Sequence, residues 1–204
     1  MGRTSDANDR LMTAALALMW EQSYGAVSID DICRRAEVKK GSFYYFFESK
    51  ADLAVQALER HWQAEKRELD ELFSPATPPL ERIRAYCDRT YARQVEAKRR
   101  TGHVLGCPLC CLGSEICTQD DLIRDKVREI LDRKGRYWES AVRDAQAAGV
   151  LPPGDAASGA RCAFAFVQGM VAQARLRNDA ELLRDLGRLV LEHLHVRRPV
   201  PQPA

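Results

Sequence analysis

Two short helical segments separated by three residues constrain the fold of this chain more than any other sequence feature. Residues 28–36 open with Ser28, carry Asp31 three positions later and repeat apolar residues at helical spacing, which predicts a capped helix. A turn over residues 37–39 follows, and a second helix begins near Lys40. Two helices joined by a turn of three or four residues are typical of a helix-turn-helix.

The second segment presents polar and apolar side chains on opposite faces. Phe43 and Phe47 lie four residues apart, so both face inward and hold the helix on its domain. The outward residues suit duplex DNA, because lysine neutralises phosphate, tyrosine hydroxyls bond phosphates or base edges, and glycine permits close approach of the backbone. The alternative is an ordinary amphipathic helix with a solvated lysine face. We predict DNA contacts from Lys39, Lys40, Gly41, Ser42, Tyr44 and Tyr45.

Positive charge is concentrated around these segments. Residues 1–60 contain eight Lys or Arg and nine Asp or Glu, whereas residues 32–50 contain five positive residues and two negative ones. The whole chain of 204 residues carries a formal net charge of +2. A local positive patch on a nearly neutral protein favours a module that reads sequence over a nonspecific polycation.

The reading segment resembles that of the TetR/AcrR family of transcriptional repressors, which follows the pattern K-G-x-hydrophobic-Y-x-x-F-x-x-K. In this chain the pattern is filled by Lys40, Gly41, Phe43, Tyr44, Phe47 and Lys50. The resemblance implies that Ser28 and Lys50 contact phosphates from two helix N-termini, and that residues 40–42, 44 and 45 face the groove. Phe46 departs from the family, because many members have His there and use it for a phosphate contact.

The remaining sequence also has helical spacing, with apolar residues three and four apart and no alternating run of β-branched residues. This predicts an all-α fold, and the resemblance implies an N-terminal three-helix helix-turn-helix domain followed by a C-terminal helical domain for ligand binding and dimerisation. Three prolines mark the boundary between them. The predicted parts are the DNA-binding domain (1–50), a connecting helix (about 49–72), the C-terminal domain (73–196) and a disordered tail (197–204).

Helix ends are predicted from caps and breakers. The first helix is expected over residues 6–23, with Gly25 in a left-handed conformation just past its end. The last two helices are expected over residues 155–177 and 180–195, and both carry more apolar surface than one neighbour covers. We therefore expect a homodimer through a four-helix bundle. Such a dimer presents two reading helices about 34 to 36 Å apart to a palindromic duplex.

Candidate ligand contacts are aromatic and polar side chains from the connecting helix onward. The helix before Arg100 mixes aromatic, thiol and polar groups on one stripe, which suits either a pocket lining or an ordinary core. The pocket candidates are Trp62, Tyr86, Tyr91, His103 and Phe164.

Residues 106–117 carry four thiols on a short predicted helix, at Cys107, Cys110, Cys111 and Cys117. Pro108 suits the first helical position and puts Cys107 at the N-cap, where backbone amides and the helix dipole favour thiolate, so the pKa of Cys107 is expected to be depressed. Three interpretations are open. The cysteines pack the helix as small apolar residues, or Cys107 reacts and Cys110 or Cys111 resolves it. The third interpretation is a soft metal site made of His103, Cys107, Cys110 and Cys111.

A subset of TetR-like repressors carries G-C-x-x-G-N-L-x-x-E in the ligand domain, and some of its members respond to electrophiles or oxidants through that cysteine. This chain has G-C-P-L-C-C-L-G-S-E and matches at Gly106, Cys107, Leu112 and Glu115. The resemblance implies that Cys107 is a reactive thiol. Cys110 and Cys111 depart from it, because they replace the Gly-Asn of the pattern.

An odd number of cysteines, seven, favours reduced thiols in a cell interior over an extracellular disulfide framework. Neither a long apolar run nor an export signal is evident, so a cytoplasmic protein with no membrane partner is expected. The competing class is a thiol-dependent helical enzyme, but no glycine loop for phosphates and no paired carboxylates support it. We predict no catalytic residue, cofactor or resident metal.

The predicted function is a sequence-specific repressor that a small-molecule effector, or electrophile or oxidant modification of its cysteines, releases from operator DNA. A metal-responsive repressor that uses the cysteine cluster is the further alternative.

Overall fold

Helices are the only regular elements among residues 2–194, the part of the chain that the computed structural model describes. The predicted all-α fold is therefore confirmed. None of these helices combines the length and apolarity needed to cross a lipid bilayer. In chain order they are α1 (Gly2–Glu21), α2 (Ile29–Ala36), α3 (Lys40–Phe46), α4 (Lys50–Leu72), α5 (Pro79–Thr101), α6 (Pro108–Ile116), α7 (Asp121–Ala147), α8 (Ala156–Arg177), a 3-10 helix (Ala180–Leu183) and α9 (Leu186–His193).

The helices form two compact units that are interleaved along the sequence. In the first unit, the described residues up to Lys66 pack with Cys107–Asp132. In the second, Arg67–Gly106 pack with the described residues from Arg133 onward. The first unit thus combines the helix-turn-helix with α6, the helix that carries the cysteine cluster.

The core of the first unit follows from the apolar stripes of its helices. α1 contacts both α2 and α3, and α2 contacts α3, as a three-helix module requires. Burying a large apolar side chain stabilises a fold by about 1.5 to 3 kcal/mol, so a few such residues fix the module. The side chains with no exposed surface include Leu11, Ile32, Phe43, Leu53 and Leu58.

An aromatic cluster forms the centre of the second unit. The Trp138 ring lies 5.2 Å from Tyr86 and 5.7 Å from Phe164, measured between ring centroids. Phe73 lies 6.0 Å from Tyr86. Edge-on and tilted contacts at these distances are the favoured geometries for aromatic pairs. The proline-rich stretch between α4 and α5 therefore begins at a residue, Phe73, that is part of this core.

Two predicted details of the helices are wrong. Gly25 is not left-handed, and among the described glycines only Gly102, Gly106 and Gly149 have positive φ. The last segment is not one helix, because a 3-10 helix capped by Asp179 precedes α9. Apolar spacing runs across this break, so periodicity could not reveal it. The predicted end of that helix at His195, and the predicted tail 197–204, lie outside the described residues.

Candidate nucleic-acid interface and thiol cluster

Ser28 caps α2 as predicted. Its hydroxyl oxygen accepts a hydrogen bond from Asp31 N at 3.1 Å, and the Asp31 carboxylate accepts one from Ser28 N at 3.1 Å. The Ser28 hydroxyl also donates to the Asp31 carboxylate at 2.5 Å. This bond, followed by the one from Ser28 N, is the main reason that the pKa of Asp31 lies below its ordinary value. At the other end, Glu37 adopts a left-handed conformation with φ of 54° and closes the helix. The capping box and the left-handed residue together fix the turn that leads to α3.

α3 has one buried face and one exposed face, as predicted. Phe43 and Phe47 are 0% and 1% exposed, and their ring centroids lie 5.7 Å apart. Tyr44 and Tyr45 are 57% and 73% exposed, which is unusual for large aromatic side chains. Lys39, Lys40 and Gly41 are also exposed, and Ser42 is partly exposed.

Gly41 leaves the start of α3 open. A Cβ built at Gly41 meets no described atom within 4 Å, so the backbone there is accessible to a partner. Lys40 Nζ lies 2.8 Å from Asp30 Oδ1, and this hydrogen bond raises the pKa of Lys40. Both side chains are more than half exposed, so the ion pair is weak and does not prevent Lys40 from reaching a phosphate. The Phe46 ring packs against that of Tyr45, with 4.9 Å between the ring centroids.

Lys50 has partners that the sequence did not indicate. Its Nζ donates to Tyr24 O at 2.9 Å and to Val27 O at 3.0 Å, and it lies 4.1 Å from the centroid of the Tyr24 ring. Burial lowers the pKa of Lys50, whereas the charge of Glu115 opposes that shift. Two of the three ammonium donors are thus used inside the first unit. The predicted phosphate contact of Lys50 stays a prediction.

α6 begins as predicted, with Cys107 at the N-cap and Pro108 at the first helical position. Cys111 N donates to Cys107 O at 2.9 Å, which closes the first turn. None of the seven cysteines forms a disulfide, and the four of the cluster, at 107, 110, 111 and 117, are partly exposed. The cluster therefore lies within reach of small reagents.

The remaining cysteines have different surroundings. Cys87 is 1% exposed, and burial raises the pKa of its thiol to about 12. Cys33 is 5% exposed, and burial raises its pKa as well. Both thiols are held protonated and behave as small apolar residues of the core. Cys162, on α8, is exposed.

The metal-site alternative for the cluster has no support in the described part of the chain. Within that part, no group of three or more His, Cys, Asp and Glu side chains is placed to hold a metal ion. His103 itself is exposed, and its backbone N donates to Thr101 Oγ1. The thiol-packing and thiol-sensing interpretations remain for the cluster.

The five pocket candidates do not form one group. Tyr86 and Phe164 are brought together in the aromatic cluster, with ring centroids 6.4 Å apart. Tyr91 instead donates from its hydroxyl to Glu181 Oε1 at 2.9 Å. Trp62 is buried and belongs to the first unit. Tyr86 and Phe164 are therefore the pair that the structure brings together.

Sequence reasoning missed the role of Glu115. Its carboxylate accepts hydrogen bonds from Tyr24 N at 2.9 Å and from Gly25 N at 2.7 Å. The available signal was the glutamate at the end of the G-C-x-x-G-N-L-x-x-E pattern. That pattern gave no indication of a partner 90 residues away.

Two family models match the chain. Residues 11–57 match the model described as bacterial regulatory proteins, tetR family, and residues 79–190 match the tetracyclin repressor-like C-terminal domain. The first match contains the whole helix-turn-helix, and the second covers more than half of the chain.

Named relatives agree with these matches. The transcriptional regulator AcuR of Cereibacter sphaeroides is 32% identical over 71% of this chain and 65% of its own length. The HTH-type transcriptional repressor NemR of Escherichia coli is 30% identical over 64% of this chain and 62% of its own length. The chain thus spans less than two thirds of these two relatives.

A solved structure shares the fold over nearly the whole chain. The regulatory protein TetR from Rhodobacter sphaeroides superimposes with a TM-score of 0.81 at 29% identity, over 92% of this chain and 98% of that one. The arrangement of α1 to α9 described above is therefore that of a known regulator. This chain belongs to the tetR family of bacterial regulatory proteins.

Proposed function

We propose that this protein is a transcriptional repressor that reads a palindromic operator with α3, as a homodimer, in the cytoplasm. The observation that carries the proposal is the outward face of α3, where two tyrosines and a glycine are exposed beside Lys39 and Lys40. A helix end with exposed aromatic hydroxyls, lysine ammonium groups and an open backbone suits phosphate and base contacts in a major groove. AcuR is named a transcriptional regulator and NemR a repressor, which supports the same role here.

The second copy is proposed to pack on α8 and α9. α8 presents an exposed row of small and apolar residues, and the last of them, Leu176, is 79% exposed. The members of the row are four, three and four residues apart, so they lie on one side of the helix. They are Ala165, Gly169, Ala172 and Leu176.

DNA binding is tested with the region upstream of the protein's own coding sequence. Fluorescence anisotropy is measured with that fragment in the presence of excess unrelated duplex, and a repressor retains the fragment. Tyr44→Phe removes only one exposed hydroxyl. It is expected to weaken binding by about 1 to 3 kcal/mol, if that hydroxyl bonds to a phosphate.

The matched control is Tyr137→Phe. The Tyr137 hydroxyl donates to Asp70 Oδ1 in the second unit, so its loss is not expected to affect operator affinity. Equal affinities of the wild type and Tyr44→Phe would remove Tyr44 from the contact surface. Failure of the wild type to prefer any genomic fragment would refute the repressor function.

The release signal is proposed to be an electrophile, an oxidant or a small molecule. The four partly exposed thiols of the cluster support the first two. Tyr86 and Phe164, which pack together in the aromatic cluster, stay the candidates for contact with a small molecule. With a maleimide or quinone, the cysteine sulfur adds to a carbon of the activated double bond, and the thiol proton ends on the adduct. The metal-responsive and enzymatic alternatives have no comparable observation.

The thiol signal is tested with Cys107→Ser. This variant is expected to bind operator like the wild type and to resist release by p-benzoquinone. If p-benzoquinone releases Cys107→Ser as readily as the wild type, Cys107 is not the sensor.

A further inference from the structure

The end of α6 is joined to the loop that follows α1. Glu115, in the last turn of α6, accepts hydrogen bonds from two successive backbone amides, those of Tyr24 and Gly25, at 2.9 and 2.7 Å. Each carboxylate oxygen takes one amide. Hydrogen bonds to an ionised acceptor are stronger than neutral ones, and two of them fix both position and orientation.

The same loop is held from another direction by α4. Lys50, the first residue of α4, donates from Nζ to the carbonyls of Tyr24 and Val27. Both backbone polar groups of Tyr24 are therefore bonded to charged side chains, the amide to Glu115 and the carbonyl to Lys50. The residue after Val27 is Ser28, which caps α2. The loop thus connects α6 and α4 directly to the start of the helix-turn-helix.

Gly25 provides the room for this junction. A Cβ at Gly25 would lie 3.2 Å from Glu115 Oε1, which is closer than an ordinary van der Waals contact. Its φ is not left-handed, so backbone conformation does not require glycine at this position. A side chain at this position would instead crowd the carboxylate that holds the loop.

α6 is also tightly packed at its middle. A Cβ at Gly113 would lie 3.1 Å from Val127 Cγ1 on α7, so α6 has little space to move without displacing its neighbour. The four cysteines of the cluster lie on α6 or at its two ends. An adduct on one of them adds volume to this packed helix, and Glu115 is the connection from the helix to the loop.

We propose that Glu115 is the positioning residue that transmits thiol modification of α6 to the DNA-reading helices. With the thiols reduced, Glu115 holds the amides of Tyr24 and Gly25, and the loop holds α2 and α3 in the arrangement that binds DNA. An adduct on the cluster shifts α6, the two hydrogen bonds break, and the reading helices lose that support. This inference rests on the proposed repressor function for its consequence, but its structural step does not require DNA.

Glu115→Gln tests the junction. Glutamine keeps the size of the side chain, but its amide nitrogen is a donor and cannot accept from a backbone N–H, so one of the two bonds is lost. Hydrogen exchange of the Tyr24 and Gly25 amides is measured without DNA. Protection of these amides is expected to fall about tenfold or more in the variant.

Glu59→Gln is the matched control. Glu59 also lies in the first unit, where its carboxylate accepts from Lys126 Nζ at 3.0 Å and from Gln63 Nε2 at 2.6 Å. The Glu59→Gln substitution removes the same charge and is expected to leave the Tyr24 and Gly25 amides protected. Equal protection of the Tyr24 and Gly25 amides in Glu115→Gln and Glu59→Gln would overturn the inference.

Coupling is tested with N-ethylmaleimide on proteins that carry Cys162→Ser, so that the exposed thiol of α8 does not react. In the Cys162→Ser protein that keeps Glu115, which is the parent of the comparison, alkylation is expected to deprotect the Tyr24 and Gly25 amides. It is also expected to weaken operator binding about tenfold or more. In Glu115→Gln, alkylation is expected to change the affinity by less than about threefold, because the junction has already lost one of its two hydrogen bonds.

The outcomes separate the two proposals. If alkylation weakens operator binding by the same factor in Glu115→Gln as in its parent, Glu115 does not transmit the signal. If the amides respond as expected but the parent binds no genomic fragment, the repressor function fails and the structural coupling stands.

Discussion

A substitution at Gly41 is expected to affect DNA binding but not folding. A Cβ at this position meets no described atom within 4 Å, so alanine fits the protein itself. Alanine also favours helix more than glycine does, by about 1 kcal/mol in a helix interior. Gly41→Ala is therefore expected to keep or slightly raise the melting temperature. Operator affinity is expected to fall about tenfold, because the methyl group lies between the helix backbone and the duplex.

Melting followed by circular dichroism and binding followed by anisotropy check both halves of this prediction. Gly135→Ala is the control, because a Cβ at Gly135 on α7 also meets no described atom within 4 Å. It is expected to keep its affinity. Unchanged affinity of Gly41→Ala would show that the backbone at residue 41 does not approach DNA closely.

Cysteine reactivity is predicted to follow burial. Below about pH 12 the thiol of Cys87 stays protonated, because burial raises its pKa to about that value. Raising the pH from 7 to 9 increases thiolate, and hence labelling, at thiols of ordinary pKa, but it leaves Cys87 unreactive in the folded protein. Cys33 is expected to be slow for the same reason, and exposed Cys162 to react readily.

Peptide mapping by mass spectrometry after timed N-ethylmaleimide treatment measures this order. Unfolding in guanidinium is expected to make Cys33 and Cys87 as reactive as the others. Labelling of Cys87 in the native protein at pH 9 would contradict the burial argument.

The sequence predicted which α3 residues face inward, because Phe43 and Phe47 are apolar and four apart. It also predicted the caps at Ser28 and Cys107, which depend on local residue types. It could not predict the bonds of Lys50 and Glu115. Both side chains bond to backbone groups of a loop, and backbone acceptors and donors have no residue-specific signature.

At the scale of the element, one buried arginine stabilises the proline-rich turn before α5. Arg82 is 3% exposed and donates to Thr77 O at 2.7 Å, to Pro75 O at 3.1 Å and to the Asp144 carboxylate. Arg82→Ala leaves these acceptors unpaired and removes a packed side chain. It is expected to lower the free energy of unfolding by about 2 to 4 kcal/mol, measured by urea denaturation.

The control for this change is Arg99→Ala. Arg99 is paired with Glu96 on the exposed surface of α5, and such pairs contribute little to stability. A similar loss of stability in both variants would mean that the buried bonds of Arg82 are not the cause.

Helix positions were predictable to within a few residues, because apolar periodicity and prolines define them. α5, α6 and α8 begin at or next to the expected residues. The break between the 3-10 helix and α9 was not predictable, because Leu183 and Leu186 on its two sides are both buried and continue the apolar spacing. Gly187 approaches α5 so closely that a Cβ would lie 3.2 Å from Arg84 Cγ. Tertiary packing of this kind is not encoded in local spacing.

At the scale of the whole molecule, the compact units do not follow the order of the sequence. Cys107–Asp132 pack with the helix-turn-helix residues, although the prolines and the family models place them in the C-terminal part. Sequence spacing contains no information on such a return of the chain. The consequence is that a modified thiol on α6 and the reading helices belong to one packed unit, which shortens the path that a signal has to travel.

Association of two copies is the last requirement for reading a palindrome, and Gly169 provides its test. Gly169 lies in the exposed row of α8, and a Cβ there meets no described atom within 4 Å. Gly169→Arg is therefore expected to leave the isolated chain folded, while it places a charge and a long side chain at the centre of the proposed interface. Native mass spectrometry is expected to show a shift from two chains to one.

Loss of dimerisation in Gly169→Arg is expected to weaken operator binding. A single copy contacts only one half-site and loses the phosphate contacts of the other. Gly135→Arg adds the same charge on α7, at another glycine with open space, and is expected to remain dimeric with wild-type affinity. A dimeric Gly169→Arg protein would place the interface elsewhere. A monomeric variant that still protects both half-sites from nuclease would show that reading a palindrome does not depend on this face of α8.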